Sequence, residues 1–388
     1  MDLQDVPSLV EQLATGVPDP RQKRGQRYPW RLLLTLMCAA LLSGQRSLRG
    51  MAHWMALHAS ELSVILRLTV CRLPSAATLC RVLQTVDEMA LERHIAAHGQ
   101  AVAAADPDSG CVTGPDGQTR CGQAVDGKAV RGAQAHGLKV FLVSLVRHGS
   151  GVVLAQQRIA AKTNEITAVP VLLAGRDMHG TVTTVDALLT HASLARQILS
   201  QGGDYVMPVK GNQPQLCEAI ATVFQSAPLP RGEDDRQTTT QTHLAHGRQE
   251  TRALTSSEAL NAYLDWPGLG QVFQRTCRRV SRRTGEVSEE TVYGLTSLRC
   301  SQAPPEQLET FCRGHWTIEN RDHYVRDETL GEDRSQVHTG HTAHALAALR
   351  NGLLNVLRHQ GWHNIAEALR YYAASLPKTL ALIGAGAT

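Results

Sequence analysis

The sequence predicts a mixed α/β protein with an all-α N-terminal region and a β-rich insertion, and three observations carry that prediction. Residues 1–105 place apolar side chains at helical spacing throughout. Between 123 and 209, β-rich runs give way to alternating helix and strand patterns, the mark of a mixed rather than purely parallel sheet. Between 215 and 305 the pattern returns to strands before helices resume. The segments this implies are 1–105 (helical), 120–214, 215–305 and 306–388.

Each element has a local reason. Residues 31–43 are apolar and stop at Ser43-Gly44; the run is too short to span a bilayer and starts too late for a signal peptide, so it is expected to be a buried helix. Ser47 caps a helix over 48–58. Ser75 caps another, in which Leu79, Val82, Leu83 and Val86 recur at i, i+3, i+4 and i+7. Short helices joined by a glycine turn suit a helix-turn-helix reader and a plain bundle equally. An Asp/Gly/Pro-rich loop over 106–122 marks a boundary. Strands are then expected over 123–130, 138–147, 152–159, 181–185 and 205–209, with helices over 166–174 and 193–200. Residues 231–241 read as an exposed loop, 270–280 and 290–298 as strands, and 343–359 as the strongest helix.

Composition bounds the function. The 388 residues are 43% hydrophobic and 19% charged, ordinary for a soluble protein too long for one average core. Nine cysteines without a CxxC pair suit reduced thiols and a cytoplasmic protein better than a disulfide framework or a zinc site. Net charge is only +4, but Arg21, Lys23, Arg24, Arg27 and Arg31 crowd one segment and Arg275, Arg278, Arg279, Arg282 and Arg283 another. One such cluster is usually a solvated face; two with acids between them point to phosphate contacts. There are six lysines against 33 arginines, and Lys128, Lys162 and Lys210 adjoin the acidic motifs. A compact ammonium there does what a planar guanidinium cannot.

Two strands are expected to deliver one acid each: Ala124-Val125-Asp126-Gly127-Lys128 and Val182-Thr183-Thr184-Val185-Asp186. Two such carboxylates sharing Mg²⁺ would clamp the attacking and leaving oxygens of a phosphodiester, and a donor set without His or Cys suits that metal. Each motif alone also fits a turn-forming aspartate. No GxxxxGK[ST], HExxH or GxSxG is present, which argues against NTPases, zincins and serine hydrolases. A third motif runs from Arg313 to Tyr324, where 3.6 residues per turn put His315, Glu319 and His323 on one helical face. Trp316 and Tyr324 beside the acid suggest partial burial. His338, His341 and His344 resemble a metal set by spacing but are expected in a loop entering a helix.

Taken together and in order, these motifs resemble the D-D-E type insertion-sequence transposases, in the branch that includes the H-repeat-associated proteins. The resemblance covers nearly the whole chain. It rests on 19–28, 73–87, 124–128 with Arg131-Gly132, Lys162-Thr163-Asn164-Glu165-Ile166, Thr184-Val185-Asp186-Ala187, Gly203-Asp204-Tyr205, Lys210-Gly211-Asn212-Gln213, His315–Asn320 as a motif, and Glu332-Asp333. It implies a ribonuclease H-like catalytic core with a β-rich insertion before the last acid. It also implies Mg²⁺-dependent (Mn²⁺-tolerant) cleavage and strand transfer at the ends of an insertion sequence. Asp126, Asp186 and Glu319 would be the catalytic metal ligands. Lys128, Arg131, Lys210, Asn212 and His315, with Arg278, Arg279, Arg282 and Arg283, would contact DNA. The expected partners are double-stranded DNA and a second copy of the chain on paired ends, in the bacterial cytoplasm at the nucleoid, with no membrane. Arg321-Asp322-His323-Tyr324 departs from the family pattern, and Asp327-Glu328 supplies rival acids for the third position. A catalytically silent DNA-binding derivative and a host nuclease with the same core are the alternative functions.

Overall fold

The structure, a computed structural model, describes residues 6–68, 72–135, 138–159, 165–227, 235–245, 247–337 and 339–385. Lys162, Thr163, Asn164, His338 and Cys71 therefore lie outside the described residues. The chain forms two compact units, one of 1–109, 127–168 and 318–388, the other of 110–126 and 169–317. That division differs from the four consecutive segments the sequence suggests, because the first and last helices share one core.

The first unit opens with helices α1 (Leu9–Gly16), α2 (Trp30–Leu42), α3 (Leu48–Leu57), α4 (Ala59–Ile65), α5 (Ala76–Thr85) and α6 (Glu88–Ala105). Ser47 and Ser75 cap α3 and α5 as expected, their hydroxyls accepting the amides of Gly50 and Thr78. Helix α2 is apolar on all sides and buried from Leu33 to Leu42, which is what an all-round apolar helix requires. Leu33, Leu36, Met37 and Leu42 share a core with Leu346, Leu349, Leu353 and Leu380 from the end of the chain, so the helices form a bundle. Among the described residues no helix is long and apolar enough to cross a membrane.

The chain then forms β1 (Cys111–Thr113), β2 (Thr119–Ala135), β3 (Leu138–Arg147), β4 (Val153–Ile159), α7 (Glu165–Leu173), β5 (Thr181–Thr184), α8 (Ala192–Ser200), β6 (Asp204–Val209) and α9 (Pro214–Gln225). Three neighbouring strands followed by alternating helix and strand is the mixed α/β order expected for this part of the chain. In the first unit the strand order is β4-β3-β2, with β3 and β4 antiparallel. Their inner face, Val130, Val140 and Leu142, packs on Ala343 and Ala347 of α11 (Thr342–His359). Helices α12 (Ile365–Ala373) and α13 (Leu376–Leu382) finish this unit.

In the second unit β2 pairs β5 and β5 pairs β6, both parallel, and the sheet continues antiparallel through β10 (Val287–Thr296), β9 (Gln271–Ser281), β8 (Arg248–Ser257) and β7 (Gln237–Ala245). The mixed sheet is thus as expected. The insertion holds four strands where two were expected, because β7 begins in a segment that the sequence presents as a loop and β8 follows it. The threonine run of β7 alternates with polar residues, a strand pattern that composition disguises; Thr238 and Thr242 bond across to Thr255 and Thr251. Helix α10 (Pro305–Gly314) closes the unit.

Two cysteines correct the expectation of reduced thiols. Cys111 of β1 stands opposite Cys121 of β2, with Cα atoms 3.9 Å apart, and the two form a disulfide. Their pairing follows from the β1–β2 register, which no CxxC spacing announces.

Candidate active site

Asp126 does not end a strand. β2 continues through it to Ala135, so the turn-former alternative fails. The glycine after it serves a close approach instead, since a Cβ on Gly127 would collide with the carboxylate of Glu165, which is buried. In the second unit β2 and β5 run parallel with Ala124 opposite Thr184. The paired register ends there: Asp126 stands two residues further along β2, and Asp186 stands two residues beyond the end of β5, in the loop that follows it. Val125 and Val185, the residues before the two acids, are buried.

The loop after Asp186 is held by its own polar groups. Asp186 Oδ1 accepts the Leu189 amide at 2.9 Å, and the Thr190 hydroxyl reaches the Pro208 carbonyl at 2.7 Å. Asn212 Nδ2 donates to the Ala187 carbonyl at 2.9 Å, and the Gln213 side-chain amide donates to the Thr190 carbonyl at 2.5 Å. The Asn212 amide, expected on DNA, instead braces the residue next to Asp186. Lys210 is exposed at the end of the strand run.

His315 follows α10, and its Nδ1 lies 3.1 Å from Thr184 Oγ1. Burial pushes its pKa below the ordinary histidine value, against the opposing charge of Asp186 and a bond to the Thr184 backbone. Because the Thr184 hydroxyl also donates to the Gln123 carbonyl at 3.2 Å, His315 Nδ1–H is the donor to Thr184. In that tautomer Nε2 is an acceptor and offers no donor to a phosphate oxygen.

Glu319 belongs to the first unit, in a π-helical segment, Ile318–His323, that is followed by a second one, Val325–Thr329. The uninterrupted α-helix expected to carry His315, Glu319 and His323 is not formed: α10 ends at Gly314, and Glu319 and His323 belong to the π-helical segment, where 3.6 residues per turn does not apply. Glu319 is exposed, with partial burial raising its pKa, whereas burial drives His323 down to about 4. Trp316 and Tyr324 are 51% and 63% exposed, so they give the acid no apolar shelter. π-helical turns occur disproportionately at functional sites.

The rival acids have other partners. Asp327 is ion-paired with Lys128, and Glu328 with Arg334 at 3.2 Å. Lys128 is therefore not available to DNA as expected: it is buried, and Glu332 and Asp333 also lie 3.9 and 3.7 Å from its ammonium. Arg131 is 83% exposed, its backbone amide held by Asp333 at 3.1 Å. In the insertion, Arg278, Arg282 and Arg283 are exposed, but Arg275 is bound by Glu309 at 2.6 Å and Arg279 by Glu250 at 3.2 Å. Strand alternation explains the split, since Arg275 and Arg279 share a face and Arg278 is on the other. His341 and His344 are engaged by carboxylates; both contact Glu88 at 2.8 Å, and His344 also contacts Glu92 at 2.8 Å. Among the described residues no three His, Cys, Asp or Glu side chains are grouped so as to hold a metal ion.

The family model described as "Transposase DDE domain" matches residues 109–356, and the model "DDE_Tnp_1-associated" matches 12–98. The chain belongs to the Transposase DDE domain family. It is similar to "Putative transposase YncI" of Escherichia coli O157:H7, 27% identical over 369 residues, 91% of this chain and 88% of that protein. It is also similar to "H repeat-associated putative transposase YhhI" of Escherichia coli (strain K12), 28% identical over 244 residues, 60% of this chain and 63% of that protein. A solved cryo-EM structure, the piggyBac transposase synaptic complex with hairpin DNA, aligns with a TM-score of 0.46 at 10% identity, over 98% of this chain and 77% of that one.

Proposed function

We propose that this chain is a Mg²⁺-dependent DNA transposase that cuts phosphodiester bonds at the ends of an insertion sequence and joins the freed strands to target DNA, acting as a dimer on paired ends. Asp126, Asp186 and Glu319 are its metal-binding carboxylates. The observation that supports this best is the parallel pairing of β2 with β5, in which Ala124 and Thr184, each two residues before one of the aspartates, stand opposite one another. Two hard oxygen donors so arranged fit Mg²⁺, with Mn²⁺ as a substitute. Divalent metal, when bound, lowers the pKa of the attacking water or 3′-hydroxyl and offsets charge on the leaving oxygen. The chain's own residues hold and orient. The bracing of Ala187 and Thr190 by Asn212 and Gln213 fixes the loop carrying Asp186. The Thr184–His315 bond keeps an imidazole, its pKa lowered by burial, close to it. Exposed Arg131, Lys210, Arg278, Arg282 and Arg283 are left for DNA phosphates.

Cleavage of DNA carrying the element's own ends, in Mg²⁺, tests this. Asp126→Asn, Asp186→Asn and Glu319→Gln should each abolish nicking while gel-shift affinity persists. Wild-type binding without any cleavage would favour the silent DNA-binding alternative. Cleavage without joining would favour the nuclease.

A further inference from the structure

We propose that Lys128 is a positioning residue: its buried ammonium clamps strand β2 onto the segment that carries Glu319. The inference rests on the D-D-E reading for its purpose, and on geometry within the first unit for its substance. Lys128 is 6% exposed, and its ammonium meets Asp327 together with Glu332 and Asp333. Asp327 lies in the second π-helical segment, eight residues after Glu319, and Glu332 and Asp333 lie in the 3₁₀ turn that follows.

The same turn is fastened from its other side. Glu332 is fully buried between Arg326, at 2.7 Å, and Arg350, at 3.2 Å. Arg326, itself fully buried, also donates to Gln156 Oε1 of β4 at 2.7 Å. A second link joins the turn to β2, the Arg131 amide bonding Asp333 at 3.1 Å. A π-helix does not sustain itself as an α-helix does. A chain of buried charges that leaves few alternative pairings is a physical means of holding one. Lys128 is the member of that chain contributed by the strand on which, two residues earlier, Asp126 stands. Arginine could not replace it simply, since a planar fork needs more room than an ammonium already ringed by carboxylates.

The test uses the full chain. Lys128→Met should raise amide hydrogen exchange across 318–334 at least tenfold while α2 and α13 exchange as in wild type. On element-end DNA it should lower single-turnover nicking at least tenfold with gel-shift affinity within twofold. Lys128→Met combined with Asp327→Asn, which restores the charge balance, should recover nicking at least threefold over the single variant. Unchanged exchange in 318–334 overturns the clamp whatever the activity. So does faster exchange throughout the chain in both variants, which would make Lys128 a general stabiliser. Weaker DNA binding with a shallower salt dependence would make it a phosphate contact and overturn it too. Normal nicking by Glu319→Gln would defeat the D-D-E reading instead, and the exchange data would still decide the clamp.

Discussion

Thr184 Oγ1 and His315 Nδ1 lie 3.1 Å apart, joining the strand that leads to Asp186 with the histidine that opens the third motif. The hydroxyl serves two partners at once, donating to the Gln123 carbonyl and accepting from the imidazole. Thr184→Val keeps shape and β-propensity but leaves a buried ring nitrogen unpaired, so it should lower unfolding free energy by about 1–3 kcal/mol. Thr184→Ser should remain near wild type. Urea unfolding of both variants checks this, and equal midpoints for Val and wild type would mean the bond is idle.

The arginines of the insertion should divide by strand face. Replacing Arg278, Arg282 and Arg283 by Gln should flatten the slope of log K against log salt by about 0.9 for each duplex phosphate that is no longer neutralised. Arg275→Gln and Arg279→Gln should leave that slope alone; Arg275→Gln should reduce stability more, because it strands the buried Glu309, whereas Glu250 keeps Arg252 at 2.6 Å. DNA titrations at several salt concentrations measure both. A slope change of the same size in the two sets would show that strand face does not sort them.

A pH dependence follows from His344. Burial alone would lower its pKa, but bonds to Glu88 and Glu92 outweigh that and raise it from 6.5 to about 9. The folded state therefore holds the proton more tightly than the unfolded one. The resulting stability is fully present below about pH 6.5 and is lost as pH rises through about 9. At 1.36 kcal/mol per unit the change is at most roughly 3 kcal/mol. Denaturant midpoints between pH 6 and 9.5 should fall more steeply for wild type than for His344→Gln. Parallel curves would remove the histidine from the account.

Much of this is legible in the sequence, and the failures share a cause. Helix caps at Ser47 and Ser75, the buried α2 and the alternation from β2 to β6 follow from local rules that a chain displays residue by residue. The placing of the first acid at a strand end does not follow, since β2 runs on through Asp126 to Ala135. What stays hidden depends on distant partners. Lys128 stands out among few lysines, yet Asp327 is 199 residues away and nothing local says that the two meet. The Cys111–Cys121 pair needs a register, and the Thr-rich β7 needs a neighbour, before either makes sense. Aligning His315, Glu319 and His323 assumes 3.6 residues per turn, and the π-helical segment changes the turn itself.

The central claim is that Asp186 is a metal ligand in a Mg²⁺-dependent cut, and a change of donor atom tests it most directly. Asp186→Cys puts a soft thiolate where a hard carboxylate suits Mg²⁺. With element-end DNA, the account predicts that this variant fails to nick in Mg²⁺ and regains at least a tenth of wild-type nicking in Mn²⁺, while Asp186→Ala stays inactive in both. Wild-type nicking by Asp186→Cys and Asp186→Ala in Mg²⁺ would contradict it.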